Sequence, residues 1–244
     1  MAAADTRAVV LRTHPYSEST VIARLLTEDF GVRSVIAKGA RRPKSRFGAL
    51  LEPFTDGRIQ VRFRDDRDLH TLAGFDVGRS RQGIGRSLRA FAGASLLAEI
   101  LLRTGTEDPH PDLYAAVITC YDALTDGSEP DAVALGGIWS TLSVLGFGPR
   151  TDQCIRCGRD IDPGEETGFD PAGGGVACAT CRPRGRRLDG VFRRELDALC
   201  GSGGRIEALD DPRLHRELLR AHLIAQVDQD RPFRSLDLFL DSPA

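Results

Sequence analysis

The sequence predicts a multidomain α+β protein: a small closed β-barrel, then a helical bundle from which a four-cysteine finger emerges. Three observations carry this. Residues 5–78 are rich in short runs of Val, Ile, Leu and Thr bounded by Gly, Pro or Asp. From Gly83 the apolar residues recur at helical spacing instead. Between residues 150 and 186 two Cys-x-x-Cys pairs flank a loop too polar and glycine-rich to build a core of its own.

The strands come first. Arg7–Thr13, Ser19–Leu26, Val32–Ala37, Arg58–Phe63 and Leu69–Val77 each have strand composition and strand length. Ile59-Gln-Val-Arg-Phe63 alternates apolar and polar, with Arg62 and Arg64 on the second face, as a half-buried strand requires. Asp65-Asp-Arg-Asp68 reads as a hairpin turn, and Asp29-Phe30-Gly31 as a turn between strands two and three. Five strands in under 80 residues, with a long break after the third, predict a barrel of OB-fold type. The domain bounds predicted are 1–80 for the barrel, 81–149 and 187–244 for the helical domain, and 150–186 for the finger.

Leu88, Phe91, Ser95, Leu96, Ile100 and Leu101 outline a helix apolar over most of its surface, predicted to be central. Asp112–Leu124 follows, with prolines 109 and 111 before it and Gly127 after it. Ala132–Leu145 is a third helix, weakened at Gly136-Gly137 by about 1 kcal/mol per glycine. Gly190–Cys200 and Arg213–Val227 complete the bundle, the latter opened by Asp210-Asp211-Pro212 as cap and first-turn proline.

Composition narrows the class. The chain has 244 residues and a formal charge of −2, with no basic-then-apolar leader and no apolar run of membrane-spanning length. Charge is unevenly spread: the first 78 residues hold 13 basic against 10 acidic side chains. Lys38, Arg41, Arg42, Lys44 and Arg46 place five cations and no acid in nine residues broken by Gly39 and Pro43. In a barrel of this type such a loop suits a phosphate backbone, since local field matters more than total charge. A charge run is also a common solvated face. Tyr16, Phe47, Phe54 and Phe63 are the nearby aromatics that could stack on bases, with Phe54 and Phe63 the better core candidates. Arg182, Arg184, Arg186 and Arg187 form a second basic cluster.

Cys154, Cys157, Cys178 and Cys181 have the spacing of a structural zinc site. A two-residue gap lets both sulfurs of a knuckle reach one ion near ~2.3 Å, and two knuckles complete a tetrahedron. A thioredoxin-like dithiol would use one such pair at a strand–helix junction, and disulfides belong to exported chains. Four thiolates leave no open coordination position, so the zinc would not be catalytic. Cys120 and Cys200 fall in helical patterns as plain buried thiols. His215 and His222 lie two turns apart, too far to share an ion. No catalytic set stands out; the reading is of a non-enzyme.

Together these residues resemble the RecO family of bacterial recombination mediators. The resemblance rests on Tyr16-Ser-Glu-Ser19, Leu26-Thr27, Gly31, Ala37-Lys-Gly-Ala-Arg41, Phe47-Gly48, Pro53-Phe54, Leu145-Gly-Phe-Gly148, the two cysteine pairs and Phe233-Arg-Ser-Leu236. It implies a DNA repair protein of the cytoplasm and nucleoid that binds single- and double-stranded DNA and anneals complementary strands. It also implies that the protein binds the C-terminal tail of single-strand-binding protein and works with RecR in loading RecA. Arg89, Arg103 and Arg220 are the arginines of the helical domain that could rim a groove for that acidic tail. Where relatives often carry a basic-aromatic pair before Leu145, this chain has Leu135-Gly-Gly-Ile138. The alternatives are a zinc-ribbon adaptor that binds only protein, and a metal-dependent or dithiol enzyme.

Overall fold

The computed structural model describes residues 3–45, 47, 50–63, 68–162, 165–181, 187–201, 206–227 and 231–242. The chain forms two compact units, one of residues 1–83 and 98–122, the other of residues 84–97 and 123–244.

In the first unit, β1 (Ala3–Pro15), β2 (Val21–Thr27), β3 (Gly31–Ala37), β4 (Asp56–Arg62) and β5 (Leu69–Arg79) close a barrel in the order β1-β2-β3-β5-β4. Every pairing is antiparallel except the short parallel β3–β5 contact, residues 34–36 against 69–71, which closes it. This is the five-stranded barrel the sequence predicts. Its interior is filled by residues from every strand, Ala8, Val10, Ala23, Leu25, Val35, Ala37, Ile59, Val61, Leu72 and Phe75, alternate in β1 to β4 and offset by a register shift in β5. β4 shows the alternation, with Ile59 and Val61 buried and Arg58, Gln60 and Arg62 exposed.

Helix α2 (Pro111–Thr125) also belongs to this unit as far as Asp122. Tyr121 packs on Phe54 with ring centroids 5.0 Å apart. Below them, buried Arg81 bonds Asp56 at 2.6 Å, Asp122 at 2.8 Å and the Phe54 carbonyl at 2.9 Å. Phe54 is the one non-glycine residue with positive φ, at 70°, among the described residues. Its amide donates to Val10 and its carbonyl accepts from Arg81, so both ends of the strained residue are held.

The second unit takes the start of α1 (Leu88–Thr104), then α3 (Pro130–Val144), α4 (Gly190–Cys200), α5 (Pro212–Gln226), α6 (Arg234–Asp241) and the finger. α3 holds despite its two glycines because Leu135, Ile138, Trp139 and Leu142 are all fully buried. The ends of α3 and α5 follow their sequence signals: Glu129 and Asp211 accept from the amides of Ala132 and Leu214, each just before a first-turn proline. Leu88 and Phe91, predicted to be central, are 48% and 40% exposed. The inward side of this stretch is lined by smaller residues, Ala90, Ala92 and Ala94, with Gly93 against Ala134 and Phe239.

One buried charge cluster organises this unit. Asp131, 3% exposed, accepts from Arg216 at 2.7 Å and lies 3.6 Å from Arg89. Arg89 also donates to the Phe239 carbonyl at 2.8 Å and to that of Ser242, at the C-terminal end of α6. The surplus positive charge is thus met by the partial negative end of a helix. Burial lowers the Arg89 pKa, opposed by the Asp131 carboxylate.

Candidate nucleic-acid interface and metal centre

The stretch between β3 and β4 begins with the basic loop. Lys38, Arg41, Arg42 and Lys44 are all exposed, whereas Ala40 and Phe47 on the same segment sit in the barrel core. Arg46 lies outside the described residues. Gly39 has φ of 74°, a left-handed turn that the chain needs to leave β3 at this angle. Phe47, read above as a possible stacking residue, is 2% exposed and anchors the loop instead; burial of a side chain this size contributes roughly 1.5–3 kcal/mol. Phe54 is buried and Phe63 half-buried against the same core. That leaves Tyr16, 64% exposed at the β1–β2 turn.

The turn and the loop are bonded to each other. The Arg41 amide donates to the Ser19 carbonyl at 3.1 Å, and its guanidinium reaches the Ser17 carbonyl at 3.4 Å. An exposed aromatic and several exposed cations are therefore presented by two joined segments, with one acid, exposed Glu18, among them. Of the second basic cluster, Arg182, Arg184 and Arg186 lie outside the described residues, and Arg187 pairs with Glu166 at 3.6 Å.

The finger contains the three-stranded sheet β7-β6-β8, formed by β6 (Thr167–Asp170), β7 (Gly175–Ala177) and β8 (Arg187–Leu188). It brings the sulfurs of Cys154, Cys157, Cys178 and Cys181 within 4.8 Å of one another. Each pair sits in a tight knuckle: the Gly158 amide donates to the Cys154 carbonyl at 2.9 Å, and the Cys181 amide to the Cys178 carbonyl at 3.0 Å. Gly158, at φ of 73°, allows the first knuckle to close.

The thiols' ionisation fits a cation. Burial would raise Cys154, but amide donors from Cys178, Cys157 and Arg156 outweigh it and bring the pKa down to about 6. The Arg159 guanidinium holds Cys178 low as well. Cys181 is pushed up to about 12 because its protonated form can donate its S–H to the sulfurs of Cys157 and Cys178. Without a metal the cluster resists full ionisation; a dication relieves that, and the four sulfurs have the number and spacing a tetrahedral ion requires. Cys120 and Cys200, by contrast, are raised to about 12 by burial and have no place in the cluster.

Sequence reasoning missed the groups that brace this centre. Arg159 is forked onto Glu165. Gln226, at the end of α5, donates to the carbonyls of Pro171 and Ala172 at 2.7 and 3.1 Å. One turn earlier, His222 bonds the Phe147 carbonyl at 2.6 Å and lies against Trp139 and Phe169. The finger is thereby tied to the helix behind it. A short polar loop in sequence shows none of this, because the partners are about 55 and 75 residues away.

Of the arginines considered for an acidic tail, Arg103 belongs to the first unit and Arg89 and Arg220 to the second. Arg89, on α1, is buried and donates to the Phe239 carbonyl of α6, and Arg103 pairs with Glu99 at 2.6 Å. Arg220 lines a cleft of about 330 Å³ in which three arginines (Arg213, Arg216, Arg220) face three acids (Glu217, Asp237, Asp241).

Comparison with known proteins places the chain. Residues 1–81 match the family described as Recombination protein O N terminal, and residues 85–223 the one described as Recombination protein O C terminal. The chain belongs to the RecO family. It is 34% identical over 240 residues to the DNA repair protein RecO of Rubrobacter xylanophilus, covering 93% of each chain. It is 35% identical to that of Anaeromyxobacter sp. strain K, covering 88% of each, and 33% to that of Rhodopirellula baltica, over 79% of this chain and 72% of the relative. Among the described residues of this RecO-family chain no helix is long and apolar enough to cross a membrane.

Proposed function

We propose that this chain is a DNA repair and recombination mediator that holds DNA by its phosphates through the loop carrying Lys38, Arg41, Arg42, Lys44 and Arg46. The observation that carries the reading is the exposure of the four described cations on a loop bonded to the turn of Tyr16. Their gain in free energy comes mainly from counterions released from the nucleic acid, so contacts of this kind bind any sequence. Both single and double strands offer that backbone, and a protein that holds two strands without reading them can bring complements together and anneal them.

The reading includes action in the cytoplasm on the nucleoid, and partnership with RecR and with single-strand-binding protein in the loading of RecA. For the acidic, aromatic-ended tail of the latter, exposed Leu88 and Phe91 beside exposed Arg86 offer apolar contact and a cation at the start of α1. The finger holds one structural zinc on Cys154, Cys157, Cys178 and Cys181. When bound, the ion supplies local folding energy and, with four thiolates around it, no open position for chemistry. The chain's role is binding rather than catalysis.

Anisotropy titration of a labelled single strand at two salt concentrations tests this. Binding that weakens steeply with salt is expected. Absence of binding at low salt would leave the protein-only adaptor as the better reading.

A further inference from the structure

The barrel wall beside the loop has a charge arrangement that a bare β-sheet disfavours. Arg12 on β1 is directly opposite Arg24 on β2 in register. Ala23 and Leu25, the chain neighbours of Arg24, face into the barrel core, so Arg24 lies on the outer wall, and Arg12 is paired with it just past a register shift in β1. Arg12 is exposed and Arg24 half-buried. Like charges directly opposed on adjacent strands destabilise a sheet, and other arginines of this unit are matched: Arg33 with Glu107, Arg58 with Asp5, Arg79 and Arg81 with Asp122. Among the described residues Arg12 and Arg24 have no ion pair, and the Arg24 Nε is buried without a hydrogen-bond partner. The surrounding positions of this wall are His14, Ile22, Ser34 and Ile36, with no carboxylate among them. Two residues beyond His14 stands Tyr16, whose turn is bonded to the basic loop.

We propose that Arg12 and Arg24 form a second phosphate-binding site, taking backbone phosphates of the same nucleic-acid strand whose other contacts are on the 38–46 loop. The site rests on the DNA-binding reading and extends it: the strand crosses the outer wall of β1 and β2, past Tyr16, rather than touching the loop alone. Two guanidinium forks opposed across strands match an anion placed between them, and the bound phosphate offsets the repulsion that the empty wall carries. Half-buried Ile22 and Ile36 give the sugar and base faces an apolar floor.

The test is the salt dependence of single-strand binding by the full-length Arg12→Gln/Arg24→Gln variant. Two lost contacts should flatten the slope of log K against log salt by about 1.4. The thermal midpoint should hold or rise, because the opposed charges are gone. Should the double variant not fold, Arg12→Gln alone, at an exposed position, should flatten the slope by about 0.7. A folded variant with the wild-type slope overturns the site. If the wild-type chain shows no binding at low salt, the DNA-binding reading fails and the site with it. If the wild type binds and only loop substitutions flatten the slope, the loop reading stands and this site alone is lost.

Discussion

The backbone amide of Arg41 donates to the carbonyl of Ser19 at 3.1 Å, so the most cationic loop of the barrel is fastened to the turn that exposes Tyr16. The exposed loop cations and the exposed phenol ring are thereby held at a set separation, although about 25 residues lie between Tyr16 and Arg41 in sequence.

Tyr16→Ala should distinguish single from double strands. Bases in a duplex hide their faces, whereas an unpaired base can lie on the phenol ring, a contact worth roughly 1–3 kcal/mol. Single-strand affinity should fall roughly 5- to 150-fold on that basis and duplex affinity should hold. Equal losses on both forms in parallel anisotropy titrations would show that Tyr16 acts on the loop's shape rather than on a base.

The metal centre predicts a local phenotype. Cys157→Ser removes one of four thiolates, and the remaining set binds zinc poorly, so residues 150–186 should lose the energy that orders them. Elemental analysis should show less than stoichiometric zinc, and limited proteolysis should cut within the finger while residues 1–80 stay intact. Full zinc content in a protease-resistant variant would contradict the assignment.

How much of this was legible in the sequence depends on what fixed each part. The barrel strands were, to within a few residues, because each carries its own alternation and ends at Gly, Pro or Asp; Ile59 and Val61 inward against Arg58 and Arg62 outward is the plainest case. The four cysteines were legible because metal geometry demands their spacing. α6 was not: it is eight residues long, follows Phe233 with no side-chain cap, and is held from outside by Arg89. The burial of Leu88 and Phe91 was misjudged because α1 is apolar nearly all round, and only its neighbours decide which side faces inward. Arg12 opposite Arg24 was invisible as well, since register is a property of two strands and not of either sequence alone.

Asp131 should be the costliest single polar substitution in the second unit. Asp131→Asn leaves two buried guanidiniums without their shared carboxylate, a loss of about 3–5 kcal/mol for a broken buried pair. Trp139 is the chain's one tryptophan and is fully buried in this unit, so its fluorescence follows urea unfolding there. The midpoint should drop at unchanged slope; a midpoint within experimental error of wild type would mean the cluster is solvated in solution.

His222 sets a pH dependence with a definite sign. Burial lowers its pKa from the usual 6.5, opposed by its bond to the Phe147 carbonyl. Burial lowers His215 likewise, opposed by Glu195. In the window below 6.5 the unfolded chain takes up protons that the folded chain resists, so stability is full above that pH and declines as pH falls through the window. His222→Gln, which keeps a donor for the Phe147 carbonyl, should flatten part of that decline. Trp139, 5.0 Å from the imidazole, reports the unfolding at each pH. An identical pH profile in the variant would assign the decline to other groups.

Contact of the loop cations with phosphate should show in the salt dependence of single-strand binding. In a variant with Lys38, Arg41, Arg42 and Lys44 all changed to Ala, the core anchors Ala40 and Phe47 are untouched, so the melting curve should match wild type. If three of the four touch phosphate, the slope of log K against log salt should flatten by about two, and binding should weaken alike on unrelated sequences. A variant that melts as wild type and keeps the wild-type slope would contradict the account and make the loop a solvated surface.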